Sequence, residues 1–209
     1  MINLSKKNVV YQKKDTHPSA YLSGGEHPII TLFFEVAQLK NLYRQGWRRS
    51  GRDVSAIDCE TVADHCFGVA LLSYVIAEQY RPDLNALHAM RLGLFHELGE
   101  IHAGDITPYD GVDPEEKHRR EREGVERVVA RLAHPERYVA LWEEYEAKKT
   151  GEAQLVARVD KLEMALQARL YEHMGYNLPD FFPDVARRVQ DDPLLSKILE
   201  ELISTRESK

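Results

Sequence analysis

Leu92-Gly93-Leu94-Phe95-His96-Glu97-Leu98-Gly99-Glu100 joins an apolar helical pattern to a cluster of polar groups. With Leu84, Leu87 and Met90 before it, the pattern predicts a helix over residues 83–98 that is apolar on most sides, and such a helix is central and buried. Its last turn carries groups an apolar helix has no use for. His96, Glu97 and Glu100 fall there, and i, i+4 and i, i+3 spacing brings Glu100 toward the other two. Imidazole and carboxylate groups in apolar surroundings are costly unless something compensates them. Gly99 and Gly104 then let the chain turn away.

Working outward, helices are expected nearly everywhere. Thr61 and Asp64 make a capping-box signature, after which Val62, Val69, Leu72 and Ile76 continue as a helix that stops before Pro82. His65 therefore sits in a first turn. Ile30, Phe33, Phe34, Ala37 and Leu42 form an apolar stripe through Tyr43, and Gly46 ends it; residues 48–60 read as a polar connection. Asp113 as N-cap, Pro114 at the first helical position, and Glu115 and Glu116 in the first turn announce the next helix. Further helices are expected near 136–148, 152–174 and 193–204. No strand alternation or internal repeat stands out, so the fold class is all-α. Residues 1–28 are polar and broken by His17-Pro18, Gly24-Gly25 and His27-Pro28, which predicts a loosely packed N-terminal extension ahead of one domain over 29–209.

Composition narrows the function classes. A chain of 209 residues with a formal charge of −6 and a pI near 5.9 does not suit a nucleic-acid backbone or an anionic membrane as main partner, since both reward basic surface. A small substrate fits. Cys59 and Cys66 lack the spacing of a zinc ribbon or a disulfide framework and read as reduced thiols of a cytosolic protein. No apolar run approaches the ~20 residues that span a bilayer. Lys6, Lys7, Lys13 and Lys14 are followed by no apolar stretch, so the N-terminus does not read as a signal peptide.

Asp160 joins the polar groups at the centre of the reading. Val156 and Met164 flank it at four residues on either side and Val159 adjoins it, so its carboxylate emerges from an apolar helix stripe and needs a partner. A buried salt bridge would serve that carboxylate as well as a metal would. Taken with Asp64-His65 and His96-Glu97, however, the set of imidazoles and carboxylates suits a divalent ion such as Mn, Fe, Co or Zn.

The order His65, then His96 with an adjacent acid, then Asp160, over successive helices, resembles the HD-domain metal-dependent phosphohydrolases. Further blocks are similar to the 5′-deoxynucleotidase branch of that family: Leu39-Lys40, Arg44, Gly46-Trp47, Glu60-Thr61-Val62-Ala63-Asp64-His65, Gly104-Asp105-Ile106-Thr107-Pro108, Glu115-Glu116-Lys117-His118-Arg119-Arg120, Leu141-Trp142-Glu143-Glu144-Tyr145-Glu146 and Asp160-Lys161-Leu162-Glu163-Met164. They cover residues 30–175. Most charges of the Glu115–Glu123 run have a simpler reading as a solvated helix face.

The resemblance implies a single helical HD domain that removes the 5′-phosphate of deoxynucleoside 5′-monophosphates with a divalent metal, whether Co, Mn, Ni, Fe, Mg or Zn. It implies a homodimer. By that likeness His65, His96, Glu97 and Asp160 hold the metal, and Glu97 and Asp160 also border the substrate. Glu100 is the expected general base, with Asp105 beside it in catalysis. Asp105 and Thr107 resemble residues that face the nucleotide, and Arg44 matches an arginine near phosphate and sugar, for which its planar fork is suited. Trp47 is expected either against the ligand or as a core anchor. His102 lies past the helix end, outside the ligand set.

One residue departs from the family pattern, which has aspartate directly after the second histidine where this chain has Glu97. The extra methylene moves the carboxylate by over an ångström, against a tolerance of about ±0.2 Å for metal-ligand distances. Glu97 can then ligate through another rotamer, act through water, or weaken the site. Three other functions stay open: another HD-type nucleotide phosphohydrolase, a phosphodiesterase, and a non-catalytic nucleotide-binding protein with an altered metal site. A zincin peptidase does not fit, because Glu100 stands where the second histidine of His-Glu-x-x-His belongs.

Overall fold

The computed structural model describes residues 11–48, 54–107, 110–178 and 181–207. The first ten residues of the expected extension, part of the 48–60 connection, and Pro108 lie outside the described residues. The helices are α1 (Pro28–Val36), α2 (Gln45–Arg48), α3 (Val62–Tyr80), α4 (Ala86–Phe95), α5 (Glu100–Ala103), α6 (Pro114–Val129), α7 (Pro135–Ala147), α8 (Gly151–His173), α9 (Phe181–Val189) and α10 (Pro193–Glu207), with 3₁₀ turns at Pro18–Tyr21 and Ala37–Lys40. Among the described residues extended pairing is limited to two isolated bridges, Gln12 with Leu42 and Tyr43 with Thr61. The fold is all-α, as the sequence pattern predicts.

Local chemistry sets the helix ends. The Thr61 amide and hydroxyl both donate to Asp64 Oδ2, at 2.8 and 2.7 Å, and the Asp64 amide returns a bond to Thr61 Oγ1 at 3.3 Å, so α3 starts on the expected capping box. Asp113 Oδ1 accepts from the amides of Glu115 and Glu116 at the start of α6. Thr150 caps α8 in the same way through the Ala153 amide.

Three expectations are corrected. The helix expected through Tyr43 ends at Val36, passes through the 3₁₀ turn, and gives way to bridge residues. Asn41 diverts it: its side chain exchanges hydrogen bonds with the Lys14 backbone at 2.7 and 2.8 Å, competing with the helical ladder, and Gly46 lies inside α2 instead of ending α1. The helix expected over 83–98 is shorter, because Asn85 accepts the His88 amide as a cap and the chain tightens after Phe95. Nor is it buried all round. Leu87 and Leu94 are 60% and 45% exposed, while Ala86, Ala89, Leu92 and Gly93 form its buried face. Gly93 lies on Ala70 so closely that a Cβ would come within 2.7 Å of the Ala70 Cα. Finally, α9 is a helix beyond those expected from the sequence, although Phe181, Phe182, Val185 and Val189 keep helical spacing and are buried. Pro183 reads as a breaker in sequence, yet in a first turn it removes no helical hydrogen bond.

The chain divides into two compact units, residues 1–66 with 94–143, and residues 67–93 with 144–209. In the first, Leu39, Leu42, Val62, Cys66, Leu98, Ile101, Val125, Val128, Val129 and Trp142 form one buried cluster. The described part of the extension is tied to this unit by paired backbone and side-chain bonds. Tyr11 and Gln45 exchange hydrogen bonds at 2.8 Å each, and Lys14 and Asn41 at 2.7 and 2.8 Å, so the segment is docked where looseness was expected. In the second unit α8, α9 and α10 pack on one another, and the buried face of α8 includes Leu155, Val156, Val159, Leu162, Ala165 and Tyr171.

In the first unit α6 crosses the turn before α5 backbone to backbone. A Cβ on Gly124 would stand 2.4 Å from the Gly99 carbonyl oxygen, and one on Gly99 would stand 2.6 Å from the Glu121 carbonyl oxygen. No flexible side-chain end is available to yield. Gly124→Ala is therefore expected to destabilise the protein by about 1–3 kcal/mol through overpacking, read from urea unfolding; an unchanged midpoint would refute this contact.

Candidate metal centre

The capping box places His65 in the first turn of α3 with no solvent exposure. His96 and Glu97 follow α4 where i, i+3 bonds take over: the Leu98 amide donates to the Phe95 carbonyl and the Glu100 amide to the Glu97 carbonyl, each at 3.1 Å. This tightening aims His96 at His65. Their Nε2 atoms face each other at 3.4 Å, with ring centroids 5.3 Å apart. Glu97 Oε1 lies 3.9 Å from His65 Nε2 and 3.7 Å from His96 Nε2.

Arg44 is buried beside them. Its Nη1 lies 3.1 Å from Glu97 Oε1, 3.5 Å from Asp105 Oδ1 and 4.0 Å from Glu100 Oε1. Asp105 is also anchored through Oδ2 by the Gln45 amide at 2.6 Å, and Gly104, at φ 77°, gives the chain the left-handed turn that returns Asp105 to Arg44. Glu100 is 2% exposed, and its Oε2 is buried without a hydrogen bond. Burial first, then the Asp105 and Glu97 carboxylates, push the Glu100 pKa well above its ordinary value, against the opposing pull of Arg44.

Most charges of the Glu115–Glu123 run are expected on a solvated helix face. The exposed pairs of Arg119 and Arg120 with Glu116, and of Arg122 with Glu126, fit that reading. Glu121 does not: it is 6% exposed and pairs with Lys117 at 3.4 Å. Burial lowers the Lys117 pKa, but Glu121, Glu97, Glu100 and Asp105 together raise it above its ordinary value. The signal was helical spacing, since 117, 121 and 125 share the face that buries Val125.

Three other expected residues have different settings. Trp47 is 1% exposed and donates from its indole nitrogen to Glu60 at 2.6 Å, which is the core-anchor alternative. The Thr107 amide and hydroxyl both donate to Asp110 Oδ2 at 2.8 Å, so its hydroxyl closes a turn. Asp160 belongs to the second unit, where it is buried on α8, accepts from the Tyr145 hydroxyl at 3.2 Å and pairs with Lys161 at 2.9 Å. Both cysteines are free and buried, with burial pushing Cys59 up to about 12 and Cys66 well above the usual thiol value.

The first-unit donors fit a divalent ion. Bonds of about 2.0–2.2 Å set neighbouring donor atoms roughly 3–3.5 Å apart, and the two imidazole nitrogens and the Glu97 oxygen are 3.4–3.9 Å apart. Two nitrogens facing at 3.4 Å cannot both carry protons toward each other without repulsion. Glu97, Asp105 and the proton-holding Glu100 crowd three acidic groups around one guanidinium.

A profile described as "HD domain" matches residues 36–194, a span that includes His65, His96 and Asp160. The chain belongs to the HD-domain family. Within the HD-domain proteins it is similar to the 5′-deoxynucleotidase HDDC2 of Homo sapiens, 36% identical over 90% of this chain and 91% of that protein. It is also similar to the 5′-deoxynucleotidase YBR242W of Saccharomyces cerevisiae, 33% identical over 79% of this chain and 71% of the relative. Among solved structures, the PH0347 protein of Pyrococcus horikoshii superposes with a TM-score of 0.63 at 30% identity, covering 83% of this chain and 97% of the other. A predicted metal-dependent phosphohydrolase of Magnetospirillum magnetotacticum shares the fold with a TM-score of 0.66 at 24% identity, covering 85% and 90%.

The raised Glu100 pKa makes a prediction for the metal-free HD domain. A carboxyl whose folded pKa exceeds its unfolded value binds its proton more tightly when folded, so it costs stability as pH rises above its ordinary value of 4.5, levelling off past the folded pKa. Chelator-treated Glu100→Gln should thus be more stable than the wild type near neutral pH, with the difference vanishing below the ordinary carboxylate range. Parallel stability-pH curves would contradict the assigned environment.

Proposed function

We propose that this chain is a metal-dependent phosphatase that hydrolyses deoxynucleoside 5′-monophosphates to deoxynucleosides and orthophosphate. The observation that carries the reading is the convergence of His65, His96 and Glu97 beside Arg44, Glu100 and Asp105, in an HD domain similar to named 5′-deoxynucleotidases. His65, His96 and Glu97 hold the divalent ion, with Asp160 as the fourth donor by its place in the family pattern. When bound, the ion would supply Lewis acidity toward a phosphate oxygen.

The remaining chemistry belongs to side chains. Arg44 sets a planar cationic fork at the phosphate and is itself oriented by Glu97 and Asp105. Glu100 takes the proton of the attacking water; its buried, acid-rich surroundings raise its basicity toward that task. Water oxygen bonds to phosphorus, the bond to the 5′-oxygen breaks, and that oxygen leaves as the deoxynucleoside hydroxyl on receiving the proton that Glu100 took from the water, which restores the Glu100 carboxylate. Asp105, fixed by the Gln45 amide and Arg44, orients the water and the substrate. Thr107 shapes the loop that carries Asp105 by closing its turn on Asp110. The Glu97 carboxylate reaches toward both imidazoles while paired to Arg44, which supports ligation through its longer side chain.

The proposal extends to a single HD domain over 29–209 with its extension, a cytoplasmic location, and a homodimer without nucleic-acid partners. Phe67, Leu71 and Val75, exposed at one-turn intervals on α3, support the dimer. Among the described residues no helix is long and apolar enough to cross a membrane.

Stripped of metal and reloaded in turn with Mn, Co, Mg, Ni and Zn, the protein should release phosphate from deoxynucleoside 5′-monophosphates and scarcely from 3′-phosphates. Asp160→Ala should lose bound metal, whereas Glu100→Gln should keep it and turn over roughly 10²–10⁴-fold more slowly. Failure of every metal to restore hydrolysis would leave a nucleotide-binding protein; hydrolysis confined to other nucleotides would move the assignment elsewhere in the superfamily.

A further inference from the structure

A second group of metal-type donors meets on the first unit, away from His65 and His96. His17 ends the segment before the Pro18–Tyr21 turn, Glu35 lies on the last turn of α1, and His102 lies on α5. His102 Nε2 is 3.0 Å and His17 Nε2 is 3.8 Å from the same carboxylate oxygen, Glu35 Oε2. The two imidazoles are stacked almost parallel, 8° from coplanar, with centroids 5.2 Å apart. His17 Nε2, His102 Nε2 and Glu35 Oε2 are all buried with no well-aligned hydrogen bond, although His102 lies within hydrogen-bonding range of Glu35 and the Ile101 backbone also acts on His17. The 3.0 Å approach therefore lies off the axis an N–H donor requires.

An ordinary ion pair does not account for this arrangement. Doubly protonated, the rings would repel; with one proton, the second nitrogen still faces the carboxylate, and the Ile101 backbone, which also acts on His17, serves only that ring. A divalent ion satisfies all three atoms at once. Bonds of about 2.0–2.1 Å in a tetrahedron put donors roughly 3.3–3.4 Å apart, between the two separations seen. On the far side of the His17 ring, Nδ1 lies 2.8 Å from Ser19 Oγ, an acceptor for the proton that Nδ1 must carry when Nε2 binds metal. The amide of Ser19, 3.2 Å from Nδ1, would then give up that contact.

We propose that His17, Glu35 and His102 form a second divalent-cation site, suited to zinc or a similar borderline ion, that clips the N-terminal segment to α1 and α5. Two imidazoles and one carboxylate leave a fourth position for water. Arg127 of α6 also acts on His17 and Glu35, and its charge opposes the ion. The site is independent of the proposed hydrolysis. Its bearing on that reaction is positional, since α5 begins at Glu100, so a clip at His102 steadies the helix that holds the proposed base.

The test uses the full chain, stripped and titrated with Zn²⁺ against a competing chelator, in a His96→Ala background that disables the first centre. One tight equivalent should remain there. Adding His17→Ala or Glu35→Gln should weaken it at least tenfold, with the far-ultraviolet circular dichroism unchanged. Unchanged zinc affinity in both combined variants would overturn the site. A reading that needs no substitution is imidazole ¹⁵N spectroscopy of the unaltered protein: Zn²⁺ should shift the His17 and His102 ring nitrogens, and unshifted rings would overturn the proposal even if the first centre binds metal as described.

Discussion

A single buried guanidinium among three carboxylates governs this structure. Arg44 stands within 3.1–4.0 Å of Glu97, Asp105 and Glu100, and it cannot neutralise all of them. Lys117 adds a second positive charge from α6, but it comes with Glu121. Buried charge left uncompensated costs several kcal/mol per ion even after relaxation. The facing imidazoles of His65 and His96 sit beside this excess, and a divalent cation between them and Glu97 answers both demands.

The surrounding fold brings these groups together with short-range devices. A capping box fixes the turn that holds His65, tight i, i+3 bonds redirect the chain at His96, and Gly104 returns Asp105 to Arg44. The close passage of Gly124 over Gly99 lets α6 bring Lys117 and Glu121 to the same place. Each device is local in sequence, while the charges it positions are far apart in sequence.

That division explains what could be read beforehand. Capping residues, helix class and the approach of His65, His96 and Glu97 to one another were legible, because caps and periodicity are local and the order of these residues matches a family pattern. Asn41 was not, since its effect depends on Lys14 meeting it from a distant segment. Lys117 and Glu121 were lost in a run of like residues, where only the face they share with Val125 sets them apart. Trp47 had two readings in sequence, and what the structure adds is its burial and its bond to Glu60, neither of which is visible in sequence. The His17, Glu35 and His102 cluster could not be foreseen, because three segments supply one donor each.

The most direct measurement is unfolding of chelator-stripped protein as free Mn²⁺ is raised, for the unaltered chain and for His96→Ala. If a cation resolves the charge excess at His65, His96 and Glu97, stability of the unaltered chain should climb once Mn²⁺ exceeds its dissociation constant, by about 1.4 kcal/mol per tenfold increase. His96→Ala, which keeps the His17, Glu35 and His102 cluster, should lose the share of that rise that this centre contributes. Equal slopes in the two proteins, or none in either, would contradict a metal centre at these residues.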